Sequence, residues 1–344
     1  MPAISVSDAV CAGGQLSFIP EWQMLSGAAL LASVAIITFL YLVNKFFQNA
    51  EGTGWAKIEL YEVFVSVLII IGVIAASDLA CTVDASWMFP GTSIPADYNI
   101  YEGAVYYLEE FSSGIMHITT ALYGFYSGLD LISSMKLTGR PLGLGPQVQP
   151  TAGLAATVKP GLTNAFNALI IAFIINKAQI FLIFFVALGF LKYYLPLGLF
   201  LRSFTPTRRI GGTIIALSLG FLFVYPFLII MEGEMGLEPL RASDRLITNF
   251  SSEVSGVAGD EMMGWWEDSI KELAIFDFMG KLLRSVIGVL AFGILYIAGN
   301  AAGYAFLIGL FFPAFNTLIL VTTIRYLSKS MGEEIDVTNL TRLI

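Results

Sequence analysis

Lys192–Arg209 reads KYYLPLGLFLRSFTPTRR. It joins two strongly apolar runs, carries Lys192, Arg202, Arg208 and Arg209, and contains no acid. The chain as a whole has a formal net charge of −8, so a local concentration of cations needs a cause. In a membrane protein the cause is orientation, because short loops rich in Lys and Arg stay on the cytoplasmic side. The same loop is also a candidate contact surface for a cytoplasmic partner. Its Pro and Thr positions define a helical hairpin. Pro196 discourages continuation of the incoming helix, and Thr205-Pro206-Thr207 supplies a cap and an early Pro for the outgoing one.

Working outward from this hairpin, the flanking runs are those of a membrane protein. Hydrophobic residues make up 56% of the chain and charged residues 13%, and the mean hydropathy is +0.77. A soluble domain is nearer ~45–50% apolar. Met24–Phe47, Tyr61–Cys81, Asn164–Leu191 and Ile210–Met231 read as spans, each close to or above the roughly 18 apolar residues that cross a bilayer. The alternating strands of a membrane barrel are absent. The fold class is therefore all-α, a polytopic helical membrane protein with five or six spans.

Ser285–Ile324 is about 40 residues without a charge, too long for one ordinary span at ~1.5 Å per residue. Two readings stand. Gly299-Asn300-Ala301-Ala302-Gly303 turns a hairpin, giving six spans, or Arg325 and Lys329 stay inside and the segment is one tilted or broken helix. Gly299 and Gly303 also have helix-contact spacing, as do Gly212, Ala216 and Gly220 on the run after the basic loop.

The chain divides into 1–81 (an external N-terminus and two spans), 82–160 and a membrane core over 161–344. Within 82–160, Thr82–Asn99 reads as an external loop. Tyr101–Leu137 reads as an amphipathic helix, at the interface or packed on other helices, and Gly139–Gly161 as a linker. Within the core, Glu232–Phe278 reads as an acidic external loop with eleven carboxylates against Arg241, Arg245 and Lys271. If the loops at 44–58 and 192–209 are inside, the N-terminus is outside. Cys11 and Cys81 then share the external face, where disulfides persist, and the two readings are a Cys11–Cys81 bridge or two unpaired thiols. No cleavable signal peptide is evident.

Candidate chemistry is sparse. There is no phosphate-cradling Gly loop, no HExxH and no CxxC. The single His117 cannot anchor a metal alone. No catalytic, cofactor-binding or metal-ligating residues are assigned, and an enzyme is not expected. Ionisable residues at membrane depth are functional suspects, here Glu62 and Lys177. Either Glu62 lies near the headgroups while Lys177 snorkels, or the two form a buried pair. Trp22, Trp55, Trp87, Trp265 and Trp266 read as interfacial anchors.

The run YYLPLGLFLRSFTPTRR resembles the polytopic membrane subunit of type IV secretion and conjugation machines. This is the TrbL-like family, whose loop has the form PL-x-L-x-LRSF-x-x-TRR. The tail RYLSKSMGEEIDVTNLTRLI is similar to that of its archaeal branch, the CedA-type subunit of DNA-import systems. The likeness covers residues 160–344. It implies a non-enzymatic channel or scaffold subunit in the cell membrane, present in several copies. Small pilin-like membrane proteins, a cytoplasmic HerA/VirB-type ATPase and translocating DNA are the implied partners, within a lipid bilayer. Rival readings are a small-solute transporter, against which the absence of an internal repeat counts, and a pilus platform that never touches DNA.

Overall fold

The computed structural model describes residues 21–331 apart from 89–93, 96, 135–136, 139–146, 149–151 and 257–286. The described residues are overwhelmingly helical. Among the described residues, five helical stretches are long and apolar enough to cross a membrane: Trp22–Phe46, Ala50–Thr82, Ala156–Arg202, Arg208–Asn249 and Gly293–Ser330. The protein is an all-α membrane protein. Five such runs lie within the expected five or six.

In chain order the helices are α1 (Glu21–Phe46), α2 (Ala50–Thr82), the single turn α3 (Ala85–Met88), α4 (Ile100–Ser134), α5 (Ala152–Phe185), α6 (Leu195–Arg202), α7 (Arg208–Leu219), α8 (Tyr225–Gly256), α9 (Ile287–Phe306) and α10 (Phe312–Ser330). Two two-residue strands, β1 (Leu137–Thr138) and β2 (Gln147–Val148), pair antiparallel between α4 and α5. The chain forms two compact units. The first comprises Met1–Leu108, Ala178–Glu234 and Ala314–Ile344; the second comprises Glu109–Lys177 and Met235–Pro313.

In the first unit α1 and α2 form a hairpin over a turn at Phe47–Asn49. Gln48 takes a left-handed φ of 55°, and the Asn49 side chain caps α2 by accepting from Gly52 N at 3.2 Å. The buried face of α2 is Ala56, Glu59, Val63, Ser66, Ile70, Val73, Ser77 and Ala80, an unbroken three-four spacing of the kind that seams two helices together. Small and polar side chains occupy the seam, while Leu68 and Ile71 are exposed. That distribution suits lipid, where close backbone approach drives helix association. Buried serines return their hydroxyls to their own helix, Ser26 to Trp22 O at 2.8 Å and Ser66 to Glu62 O at 3.0 Å.

The expected amphipathic helix is α4. Asn99 Oδ1 accepts from Tyr101 N at 3.0 Å and Glu102 N at 2.9 Å, and Glu102 Oε2 accepts from Asn99 N at 3.2 Å. This is a reciprocal capping box. Tyr101, Ala104, Leu108, Phe111, Ile115, Ile118 and Leu122 are buried at three-four spacing, so of the two settings expected for this helix it takes the packed one. His117 lies on its exposed face.

Three boundaries differ from expectation. The linker after residue 139 is shorter than expected, because α5 is already helical at Ala152 and carries Pro160 within it. Its early turns are held by Lys159, whose ammonium pairs with Asp130 of α4, donates to Ser133 Oγ at 3.1 Å and sits 5.9 Å from the Tyr126 ring centre. The acidic loop expected from Glu232 is helix as far as Gly256, with Leu237, Leu240, Ser243 and Ile247 on a buried face. Residues 257–286 lie outside the described set. Finally, Gly299–Gly303 does not turn; α9 continues through it.

Prolines explain a recurring irregularity. Three π-helical segments are present among the described residues: Val186–Tyr194, Gly220–Val224 and Leu307–Phe311. Each ends two residues before a proline, Pro196, Pro226 and Pro313. In each, the residue before the proline donates its N–H five residues back, Leu195 to Phe190 O, Tyr225 to Gly220 O and Phe312 to Leu307 O. A proline has no N–H and its ring strikes the carbonyl four residues earlier. The wider turn absorbs that clash without ending the helix. Pro196 therefore does not open the hairpin; the helix runs past it to Arg202.

Candidate functional site

The hairpin turn proper is Ser203–Thr207, five residues rather than the eighteen of the basic run. Ser203 N donates to Phe200 O at 3.1 Å and Thr207 N to Phe204 O at 3.1 Å, while Thr207 Oγ1 reaches Leu201 O at 2.8 Å. The arms α6 and α7 meet backbone to backbone. A Cβ on Gly198 would lie 3.1 Å from Gly211 O, and one on Gly211 would lie 2.7 Å from Gly198 O and from Arg202 Cα.

What holds this turn is a carboxylate on α2. Glu59 is fully buried (0% exposed). It accepts from Thr205 N at 3.1 Å, from the Thr205 hydroxyl, and from Arg208 Nη2 at 2.9 Å. Arg208 also reaches Glu62 at 3.4 Å and remains 26% exposed. Trp55 Nε1 donates to Thr205 Oγ1 at 3.2 Å. Trp55, Glu59 and Glu62 follow four-then-three spacing, which puts them on one helical face. The constellation is a charge-assisted latch: one buried anion satisfied by a backbone N–H, a hydroxyl and a guanidinium.

Comparison with family models, curated proteins and solved structures finds no match.

The four cations of the run separate into distinct roles. Arg202 is 6% exposed and its Nη1 donates to Met331 O at 3.3 Å, tying the end of α10 to the hairpin. Arg208 belongs to the latch. Lys192 is half-buried, with its ammonium 5.7 Å from the Tyr193 ring centre. Arg209 is exposed. A uniform contact loop of Lys192, Arg202, Arg208 and Arg209 is thus corrected: two of its arginines are structural.

Glu62 finds Arg208 in the first unit, whereas Lys177 is exposed in the second, its ammonium 5.7 Å from the ring centre of Phe173 on the same helix. Of the two readings of Glu62 and Lys177, the buried pair does not hold, because Lys177 is exposed. Of the small-residue stripe, Gly212 and Ala216 are buried, and a Cβ on Gly220 would lie 2.5 Å from Ile324 Cγ1. Gly299 and Gly303 have nothing within 4 Å of an added Cβ; Gly309, against Ala172, makes the close approach instead. Trp22 is buried, and Trp265 and Trp266 lie outside the described residues. Cys11 also lies outside them, and among the described residues no cysteine is free.

Sequence reasoning missed Glu59. The available signal was an acid pair at i, i+3 in the first half of an apolar helix, in a chain whose basic run lacks acids of its own. It also missed a second polar contact. Asn316 Nδ2 donates to Glu232 Oε2, both residues are buried, and Glu232 Oε1 has no hydrogen-bond partner. Two residues on, Glu234 accepts from the Tyr107 hydroxyl. Asn316→Leu is expected to cost about 1–3 kcal/mol by leaving both oxygens of Glu232 unpaired. Glu232→Gln, which keeps an acceptor for Asn316, should retain the fold. Thermal unfolding in detergent compares the two; equal midpoints would remove the pair's structural role.

Proposed function

We propose that the chain is a non-enzymatic channel or scaffold subunit of a type IV secretion-like DNA-transfer apparatus in the cell membrane, with its N-terminus outside. The observation that carries this reading is the latched hairpin. Its sequence bears the resemblance to the TrbL-like family, and Glu59 holds its turn in one conformation while Arg209 stays exposed beside it. A rigid turn with a projecting guanidinium is suited to docking a cytoplasmic HerA/VirB-type ATPase, since Arg gives fixed, forked recognition of carboxylates. Small pilin-like membrane proteins, further copies of this chain and the translocating DNA complete the proposed assembly.

Arg208 is unsuited to testing this, because its loss disturbs the latch. Arg209→Glu reverses a charge with no described partner. DNA transfer between cells is expected to fall by more than about tenfold, the scale of one lost charge-assisted contact, with membrane insertion and the unfolding midpoint in detergent unchanged. Normal transfer in that variant would reduce the hairpin to a topology signal. The external bridge Cys11–Cys81 belongs to the same proposal; non-reducing peptide mass spectrometry should recover the linked pair, and two alkylated thiols would exclude it.

A second reading rests on Glu232. A buried carboxyl with one unpaired oxygen inside an apolar helical run is a feature of solute transporters. Under that reading, proteoliposomes containing the purified chain would accumulate a small solute and Glu232→Gln would abolish uptake.

A further inference from the structure

The latch accounts for Arg208, and Met331 O for one donor of Arg202. Five further cations of the first unit have no such use: Lys45, Lys57, Arg209, Arg325 and Lys329 are exposed and make no ion pair among the described residues. Hydrogen bonds gather the segments that carry them. Trp55 and Glu59 bind the turn at Thr205, and Arg202 binds Met331 one residue past α10. The α1–α2 turn ends at Asn49, six positions before Trp55 on α2. The only exposed acid in the 45–62 segment is Glu51, since Glu59 and Glu62 are engaged by Arg208.

Four of the five cations adjoin an exposed apolar side chain. Lys45 precedes Phe46 (83% exposed), Lys57 precedes Ile58 (62%), Arg209 precedes Ile210 (57%) and Arg325 precedes Tyr326 (75%). A surface meeting only water gains nothing from this pairing, and a DNA strand would stack only on the aromatic members, Phe46 and Tyr326, not on Ile58 or Ile210. A bilayer interface gains from both parts, because the apolar body enters the acyl boundary while the cation meets a headgroup phosphate. We infer that Lys45, Lys57, Arg209, Arg325 and Lys329 form a rim that binds anionic phospholipid headgroups. The inference does not depend on the DNA-transfer reading.

The test uses the full chain in nanodiscs of phosphatidylcholine alone or with phosphatidylglycerol, read by native mass spectrometry and thermal unfolding. Phosphatidylglycerol should be retained in preference to phosphatidylcholine, raise the unfolding midpoint, and lose that preference as salt shortens the screening length. The variant Lys57→Gln, Arg209→Gln, Arg325→Gln and Lys329→Gln should fold, because these side chains are exposed and make no ion pair among the described residues. Its preference should fall by about fivefold per cation removed. Equal retention of the two lipids, or an unchanged preference in the variant, would overturn the inference. Displacement by inorganic phosphate at matched concentration would overturn it in favour of a phosphate site, and displacement by a DNA oligonucleotide in favour of a nucleic-acid surface.

Discussion

Arg208→Met should destabilise the protein by about 3–5 kcal/mol, the cost of stranding a buried carboxylate without its cation. Glu59 is the group stranded: it is fully buried and keeps only the Thr205 N–H and hydroxyl. The lower end of the range applies, because Arg208 is 26% exposed and water screens part of the interaction. Glu59→Gln alone should cost less, since the carboxamide oxygen still accepts from Thr205 and Arg208 retains Glu62 at 3.4 Å. Combining Glu59→Gln with Arg208→Met removes both charges, and the pair should be more stable than Arg208→Met by itself. Reversible unfolding in mixed micelles measures the cycle. Additive losses in the double variant would mean that Glu59 and Arg208 are not coupled, and the latch would fall with that result.

Gly211→Val is the second large effect. Its side chain would have to displace the backbone of Arg202, not a flexible side-chain end, since an added Cβ lies 2.7 Å from Arg202 Cα. Overpacking usually costs about 1–3 kcal/mol, and a backbone obstacle places this change at or above the top of that range. Separating α6 from α7 would also move Thr205 and Arg208 away from Glu59, so the latch weakens at the same time. Gly303→Val supplies the contrast. Nothing lies within 4 Å of an added Cβ there, and the isolated chain should keep its unfolding midpoint. A loss of oligomers in Gly303→Val, with an unchanged monomer, would locate a contact between copies. If Gly211→Val matched Gly303→Val in stability, the close approach of α6 and α7 would be wrong.

The membrane class was legible because crossing a bilayer demands long uncharged runs, and such runs survive any local irregularity. Boundaries were less legible wherever a tertiary contact overrides a local signal. Pro160 and the glycines around it announce a linker, yet the Lys159–Asp130 pair secures helix there. The carboxylates from Glu232 onward announce a loop, yet Asn316 and Tyr107 receive the first two and Leu237, Leu240 and Ile247 bury one face. Charge counts treat all four hairpin cations alike. Only packing distinguishes Arg202 and Arg208, which hold the turn, from Arg209. Glu59 was hidden for a related reason: its importance comes from Thr205, 146 positions away in the chain.

The π segments bear on how the spans can change. A wide turn carries one residue more than an α-helical path of the same length, and one residue corresponds to about 100° of rotation. A stripe facing a neighbour before Gly220 is therefore swung around the helix axis by the time the chain reaches Tyr225, and the same holds across Val186–Tyr194 and Leu307–Phe311. Excising one residue from such a segment should return it to an α-helical path while the positions beyond it keep the neighbours they have. A single-residue deletion that would turn the remainder of an ordinary span by about 100° is thus absorbed here, leaving lipid-facing and protein-facing positions where they were.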